Sequence, residues 1–422
     1  MKVNCLICKI CKYEYEVSPK YVCEMCFGPL EVKYNWEYIR KNISIEKISK
    51  GPKSIWRYID LLPLESDYEI DLQSGFTPLV RSKNLGEYLG LDNLWIKNDS
   101  LNPTFSFKDR VVSIASNKAK EFGLTTLACA STGNLAGSVA AHGAKGGLET
   151  VVFIPKNLEK EKIISAGVYN PKIVTIDGTY DDVNRICTIL AEEKEGWAFA
   201  NINMRPFYSE GSKTLGYEIV EQLGWEAPDN IICPGGSGSL FTKVWKGISE
   251  FEKLGFIENI NTKMHIAQAE GCSPIINAID NKSDFIEPVI PETIAKSIAI
   301  GNPADGLNSV NLVNKTNGTG TSVSESEIIQ GIRLLAETEG IFTVIQGIRL
   351  LAETEGIFTE TAGGVVIASL IKLSRQNKLP SDEKTVCLIT GNGLKTPDVV
   401  SNIKTFDIDS KSSNLDEILS KV

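Results

Sequence analysis

Lys108 lies in the run Phe105-Ser106-Phe107-Lys108-Asp109-Arg110, between an aromatic side chain and the start of an apolar helical pattern. Burial there disfavours the ammonium form, lowers the pKa and frees the amine as a nucleophile toward an aldehyde. A surface lysine that snorkels to water has the same local sequence, so the reading depends on three junctions further along. After the β-like run ending at Ala130 come Ser131-Thr132-Gly133-Asn134 and a small-residue helix, hydroxyls and an amide suited to an oxygen-rich ligand. After Cys233 come Pro234-Gly235-Gly236-Ser237-Gly238-Ser239, whose backbone N–H groups can close around a phosphate at a helix start. After Ile389 comes Thr390-Gly391-Asn392-Gly393-Leu394-Lys395. The glycine loop is neither a Walker loop nor a dinucleotide fingerprint, because the spacing differs from both.

A nucleophilic lysine, an amide-bearing loop, a phosphate cradle and a late hydroxyl together describe a pocket for pyridoxal phosphate. The elements that must position them are short β-like runs alternating with longer helical ones, the pattern of an α/β fold with parallel sheets. All three junctions lie where strands end and helices begin, the place where open α/β sheets bind ligands.

The front of the chain carries separate chemistry. Cys8 and Cys11, and Cys23 and Cys26, are two pairs with zinc-ribbon spacing, and Cys5 with Cys8 is a competing first pair. So short a segment cannot order itself by burying apolar surface, so four thiolates around a structural zinc ion would supply its folding energy. A closed four-cysteine site has no open coordination position and hence no catalytic role. Cys129, Cys187, Cys233, Cys272 and Cys387 sit in apolar segments and read as buried thiols.

At 422 residues, 42% hydrophobic and 23% charged, the composition is that of a globular protein with two or three cores. A net charge of -9 argues against a nucleic-acid partner. No apolar run is long enough to span a membrane and no secretion signal is visible, so a cytoplasmic location is expected.

The chain resembles threonine synthases of the fold-type-II pyridoxal-phosphate enzymes. The resemblance rests on the run from Pro103 to Arg110, on Ser131-Thr132-Gly133-Asn134, and on Glu210-Gly211-Ser212-Lys213-Thr214. It rests equally on the glycine loop, on Ile300-Gly301-Asn302-Pro303 and on the segment from Thr390 to Lys395. It implies two open parallel-sheet α/β domains behind the ribbon and conversion of O-phosphohomoserine and water to threonine and phosphate. Lys108 would bond the cofactor's aldehyde and shuttle protons, and Asn134 would bond its ring oxygen. Gly235, Gly236, Ser237, Gly238 and Ser239 would hold its phosphate, and Thr390 would face its ring nitrogen. The substrate's phosphate would meet Ser131, Thr132, Lys213 and Arg205, with Arg110 a further candidate. Where the family often has an Asn-Pro-Tyr-type stretch, this chain has Asn203-Met204-Arg205-Pro206-Phe207-Tyr208.

The expected organisation is a ribbon over 1–34, a large domain over 35–95 and 206–422, and a small domain over 96–205 carrying Lys108 and Asn134, assembled as a homodimer. Residues 329–343 recur letter for letter at 345–359. At about 100° per residue the 16-residue offset leaves the copies about 160° out of phase on one helix. One copy is therefore expected at the native helix site and the other in an extra helix–loop excursion. Three other functions stay open: a cysteate-synthase-like replacement on phosphoserine, a serine/threonine dehydratase, and a cofactor-free binding or regulatory protein.

Overall fold

The computed structural model describes residues 1–131, 133–156, 158, 160–178, 180–327 and 359–396. The tandem copies lie outside the described residues, apart from Thr359, so the excursion expected there has no structural counterpart to compare.

The first sheet is small and antiparallel. Its strands β1 (Val3–Cys8), β2 (Glu14–Tyr15) and β3 (Leu30–Tyr34) run in the order β2-β1-β3. The second sheet contains β4 (Leu79–Arg81) and β5 (Leu94–Asn98), and the third contains β6 (Thr126–Ala130), β7 (Glu149–Pro155), β8 (Lys172–Ile176) and β9 (Trp197–Phe199). The chain then returns to the second sheet with β10 (Asn230–Pro234), β11 (Lys263–Ala269), β12 (Gly320–Val323) and β13 (Thr385–Ile389). The large sheet has the order β12-β11-β10-β13-β5-β4 and the smaller one β8-β7-β6-β9.

The smaller sheet is wholly parallel, and the large one is parallel except for β4, which pairs antiparallel with β5 at the edge. The boundary expected at residue 95 is corrected by β5. That strand pairs with β13 from Leu94 through Asn98, so the large sheet claims residues assigned above to the small domain.

Strand periodicity explains why β6, β10 and β13 are buried throughout and carry apolar residues on both faces. In β6, Leu127 and Cys129 face the main core while Ala128 and Ala130 face a second one under the helix Tyr180–Glu193. In β13, Val386 and Leu388 face the main core, and Cys387 and Ile389 pack under the helix Thr361–Arg375. Both faces of each sheet are covered, as parallel sheets require. The five scattered cysteines are buried free thiols.

The antiparallel sheet at the front is tied to the large one by buried charge. Lys243 bridges Glu31 and Glu210, Lys213 pairs with Glu210 and Glu250, and the Tyr34 hydroxyl donates to Glu210 at 2.9 Å. Burial alone would raise the Glu210 carboxyl, but Lys213, Lys243 and Lys246 hold it well below the usual carboxylate range.

Candidate active site

Strands β10, β13 and β5 are neighbours and run parallel, so their C-terminal ends open on one edge of the large sheet. The loops after them carry the glycine turn, Thr390 and Lys108, and the loop after β6 brings Asn134 from the facing sheet. A cavity of about 300 Å³ lies between, a size that suits a small ligand. Lys108, Ser131, Asn134, Arg205, Gly236, Ser237, Gly238, Ser239 and Thr390 all line it.

Lys108 is the first residue of the helix Lys108–Glu121, and its neighbours pin it there. The Asp109 carboxylate accepts from the Thr104 N–H at 2.6 Å, the Thr104 hydroxyl at 2.7 Å and the Ser138 hydroxyl at 2.6 Å. Arg110 is buried between Asp99 and Glu218. The Phe107 N–H donates to the Thr390 carbonyl at 3.0 Å and the Asn392 N–H to the Phe105 carbonyl at 3.0 Å, so the lysine loop is zipped to the loop after β13. Phe105 takes a φ of 61°, a left-handed conformation uncommon for so bulky a residue and of the kind found near functional sites.

The Lys108 amine opens onto the cavity, which leaves the side chain half-buried, with Nζ 4.5 Å from the Phe107 ring centroid. Enclosure by protein lowers its pKa to about 8, and the nearby Glu360 carboxylate pulls the other way. A helix N-terminus adds a positive partial charge that works with the burial.

Glu360 is the residue that sequence reasoning missed. It is buried immediately before the helix Thr361–Arg375, and both of its carboxylate oxygens accept from Asn134 Nδ2 at 2.9 Å. This turns the amide so that Asn134 Oδ1 is buried without a partner among the described residues. Gly391 makes room for the carboxylate, since a Cβ at that position would lie 2.6 Å from Glu360 Cδ. Ser297 is a second omission: it lines the cavity and its buried Oγ also lacks a partner among the described residues.

The glycine turn divides into two parts. Gly238 has a φ of 83° and precedes the helix Ser239–Leu254, and a Cβ there would lie 2.7 Å from the Asp305 carbonyl oxygen. Gly236, Ser237, Gly238 and Ser239 therefore bring backbone N–H groups and a helix N-terminus to the cavity wall. Gly235 does not line the cavity, which corrects its expected role. Its N–H donates to the Ala267 carbonyl and its own carbonyl accepts from Gln268, so it belongs to the sheet.

The candidates for the substrate's phosphate fare unequally. Arg205 lines the cavity. Ser131 does too, although its Oγ accepts from the Gly133 and Ala136 N–H groups and caps the helix behind Asn134. Thr132 lies outside the described residues. Lys213 is corrected: it is fully buried away from the cavity, its ammonium engaged by Glu210 and Glu250 and 4.1 Å from the Tyr34 ring centroid. Arg110 is corrected for the same reason, because its guanidinium is saturated by Asp99, Glu218, Thr77 and Thr214.

At the front, the sulfur atoms of Cys8, Cys11, Cys23 and Cys26 lie within 4.8 Å of one another, and Cys5 is not among them. Backbone N–H groups of Ile10 and Met25 donate to the Cys8 and Cys23 sulfurs, each at 3.4 Å. Desolvation opposes the Cys23 thiolate, but hydrogen bonds from Tyr15, Met25 and Cys26 outweigh it and bring that thiol down to about 6. Four clustered sulfurs with amide donors suit a tetrahedral thiophilic ion.

Residues 70–344 match the family of pyridoxal-phosphate dependent enzymes. The threonine synthase of Methanocaldococcus jannaschii is 37% identical over 395 residues, 93% of each chain. That of Methanosarcina acetivorans is 36% identical over 401 residues, 94% of each. Among solved structures, the diaminopropionate ammonia lyase of Escherichia coli superposes with a TM-score of 0.61 at 18% identity, covering 78% of this chain and 87% of that one. Threonine deaminase isoform 2 of Solanum lycopersicum gives 0.60 at 20% identity, covering 75% and 79%. At such identities the structural likeness speaks for the fold, which is the fold-type-II arrangement.

Proposed function

The chain belongs to the threonine synthases, pyridoxal-phosphate-dependent enzymes, and from that premise we propose that its cavity converts O-phospho-L-homoserine and water to L-threonine and phosphate. The observation that carries this reading is the convergence of Lys108, Asn134, the turn from Gly236 to Ser239 and Thr390 on one cavity. The donor set fits the cofactor. A lysine of lowered pKa suits its aldehyde, the helix N-terminus its phosphate and the Thr390 hydroxyl its ring nitrogen, while Asn134 Oδ1, its Nδ2 held by Glu360, would accept from the ring oxygen in its protonated form.

When bound, the cofactor supplies an electron sink that acidifies the carbon bearing the substrate's amine. Lys108 would be the base for the proton on that carbon and then for one on the β carbon, whose loss expels phosphate from the γ carbon, and it would return one proton at the γ carbon and one at the α carbon. A neutral hydroxyl at Thr390 keeps the sink gentler than a carboxylate would. Glu360 holds the Asn134 amide in one orientation and counters the burial of the Lys108 ammonium. Arg205 supplies the positive charge for the substrate's phosphate, and Ser297 offers a hydroxyl that has no partner among the described residues. Water then adds at the β carbon.

The four clustered cysteines hold one structural zinc ion in this reading, supported by their sulfur separations and amide donors. Ten cysteines free of disulfides suit a reducing, cytoplasmic compartment. The test compares O-phosphohomoserine with phosphoserine plus sulfite as sources of phosphate. Threonine formation from the first supports the reading, and turnover of the second pair alone replaces it with a β-replacement enzyme.

A further inference from the structure

The cysteine-bearing sheet reaches the cavity. Tyr21, between the two cysteine pairs, lines it. Lys9, between Cys8 and Cys11, crosses to the large-sheet side, where Nζ lies 2.9 Å from Asp305 Oδ1. The other oxygen, Oδ2, is 3.1 Å from Arg205 Nη2. Asn308 also donates to Oδ1, at 3.2 Å. The Asp305 side chain is only 6% exposed, against 20% for Lys9 and 29% for Arg205.

Asp305 is itself bound to the glycine turn, its N–H donating to the Ser237 carbonyl at 2.9 Å. Two cations thus share one carboxylate beside the anion-binding turn. Were Lys9 absent, Asp305 would neutralise Arg205 alone; with Lys9 present the trio keeps one unbalanced positive charge, and Arg205 is its member on the cavity wall. The shared carboxylate is nearly buried and the two cations half-buried, so solvent screens that surplus only in part and an anion entering the cavity gains from it.

We propose that Lys9 is a positioning residue for the substrate's phosphate: by sharing Asp305 it leaves the Arg205 charge available, and it makes the cysteine-bearing sheet part of substrate recognition. This deepens the reading of the cavity as one for a phosphorylated amino acid and rests on it.

The experiment uses holoenzyme and two probes, inorganic phosphate binding by calorimetry and steady-state kinetics on O-phosphohomoserine. Lys9→Gln keeps a hydrogen-bond donor and drops the charge. It is expected to weaken phosphate binding and raise KM on the order of tenfold, the effect of one charge across a half-buried rim. The kcat, cofactor absorbance and bound metal stay within about twofold of wild type, as expected for loss of binding that is equal in ground and transition states. Lys9→Arg restores both constants. Asp305→Asn in the Lys9→Gln background also recovers phosphate affinity, because no carboxylate remains to neutralise Arg205.

Wild-type phosphate affinity and KM in Lys9→Gln overturn the proposal, and so does a double variant that fails to recover. A fall in kcat and metal content with phosphate affinity unchanged also overturns it, in favour of a purely structural lysine. If Lys9→Gln does not fold, Lys9→Met answers the same questions. Failure of the underlying reading looks different: wild-type enzyme then releases no phosphate from O-phosphohomoserine, while the calorimetric comparison still reports on Lys9.

Discussion

Replacing Glu360 by Gln removes a charge beside Lys108 while keeping the side chain's shape. The lysine pKa of about 8 results from burial pulling down and the Glu360 carboxylate pulling up. A unit charge taken at ~6 Å with an effective dielectric of ~20 contributes about 3 kcal/mol, or roughly two pH units. Lys108 opens onto the cavity, so solvent screening reduces this to about one unit. In Glu360→Gln the lysine should therefore titrate near pH ~7. The assay follows trapping of a small aldehyde on Lys108 by borohydride in cofactor-free protein across pH, with the modified peptide quantified by mass spectrometry. Wild type should inflect near 8 and the variant about one unit lower. An unchanged or higher inflection in the variant would refute the idea that Glu360 sets the charge of this lysine.

Gly391→Ala puts a Cβ 2.6 Å from Glu360 Cδ and must push that carboxylate off Asn134; cofactor affinity should fall roughly tenfold in an absorbance titration. Lys108→Met should stabilise cofactor-free protein at pH 7. The folded pKa of wild-type Lys108 is about 8 and lies below the unfolded value, so the unfolded chain binds more protons between the two. Wild type therefore gains stability as pH rises through that window, and the variant's advantage in Tm shrinks from pH 8 to above 10. Cys23→Ser or a strong chelator should abolish binding of one zinc per chain, measured by elemental analysis. Hydrogen exchange should then accelerate in β1 and β3, which the proposed ion would hold in order.

Lys108, Asn134 and the turn from Gly236 to Ser239 are legible as a group because each lies at the start of a helix that follows a strand, where an α/β fold presents residues to a ligand. The cysteine cluster was legible because ligand spacing in a tight turn is fixed by geometry. Glu360 carried no such mark. A single acid ahead of an apolar helix reads as an ordinary helix start, and its meaning arises only when the fold sets it against Asn134, 226 residues earlier. Lys9 and Asp305 are 296 residues apart, one in the turn after β1 and the other at the start of the helix Gly306–Lys315, so no local pattern links them. Lys213 misled for the opposite reason. It lies in a motif beside the cavity, but Glu210 ends the helix Arg205–Glu210 and Lys213 opens the next, so the short turn between them makes a buried ion pair. The boundary at residue 95 failed because β5 and the lysine loop are continuous in sequence, and only pairing with β13 shows where the sheet ends.

The most direct test of the central claim is simultaneous measurement of phosphate and threonine formed from O-phosphohomoserine by wild-type enzyme and by Lys108→Ala. The two products should appear in equal amounts with wild type, and the variant should lose at least ~10³-fold in kcat with the protein still folded. Phosphate release without threonine, or a variant that keeps wild-type turnover, would contradict the assignment of this cavity and of Lys108.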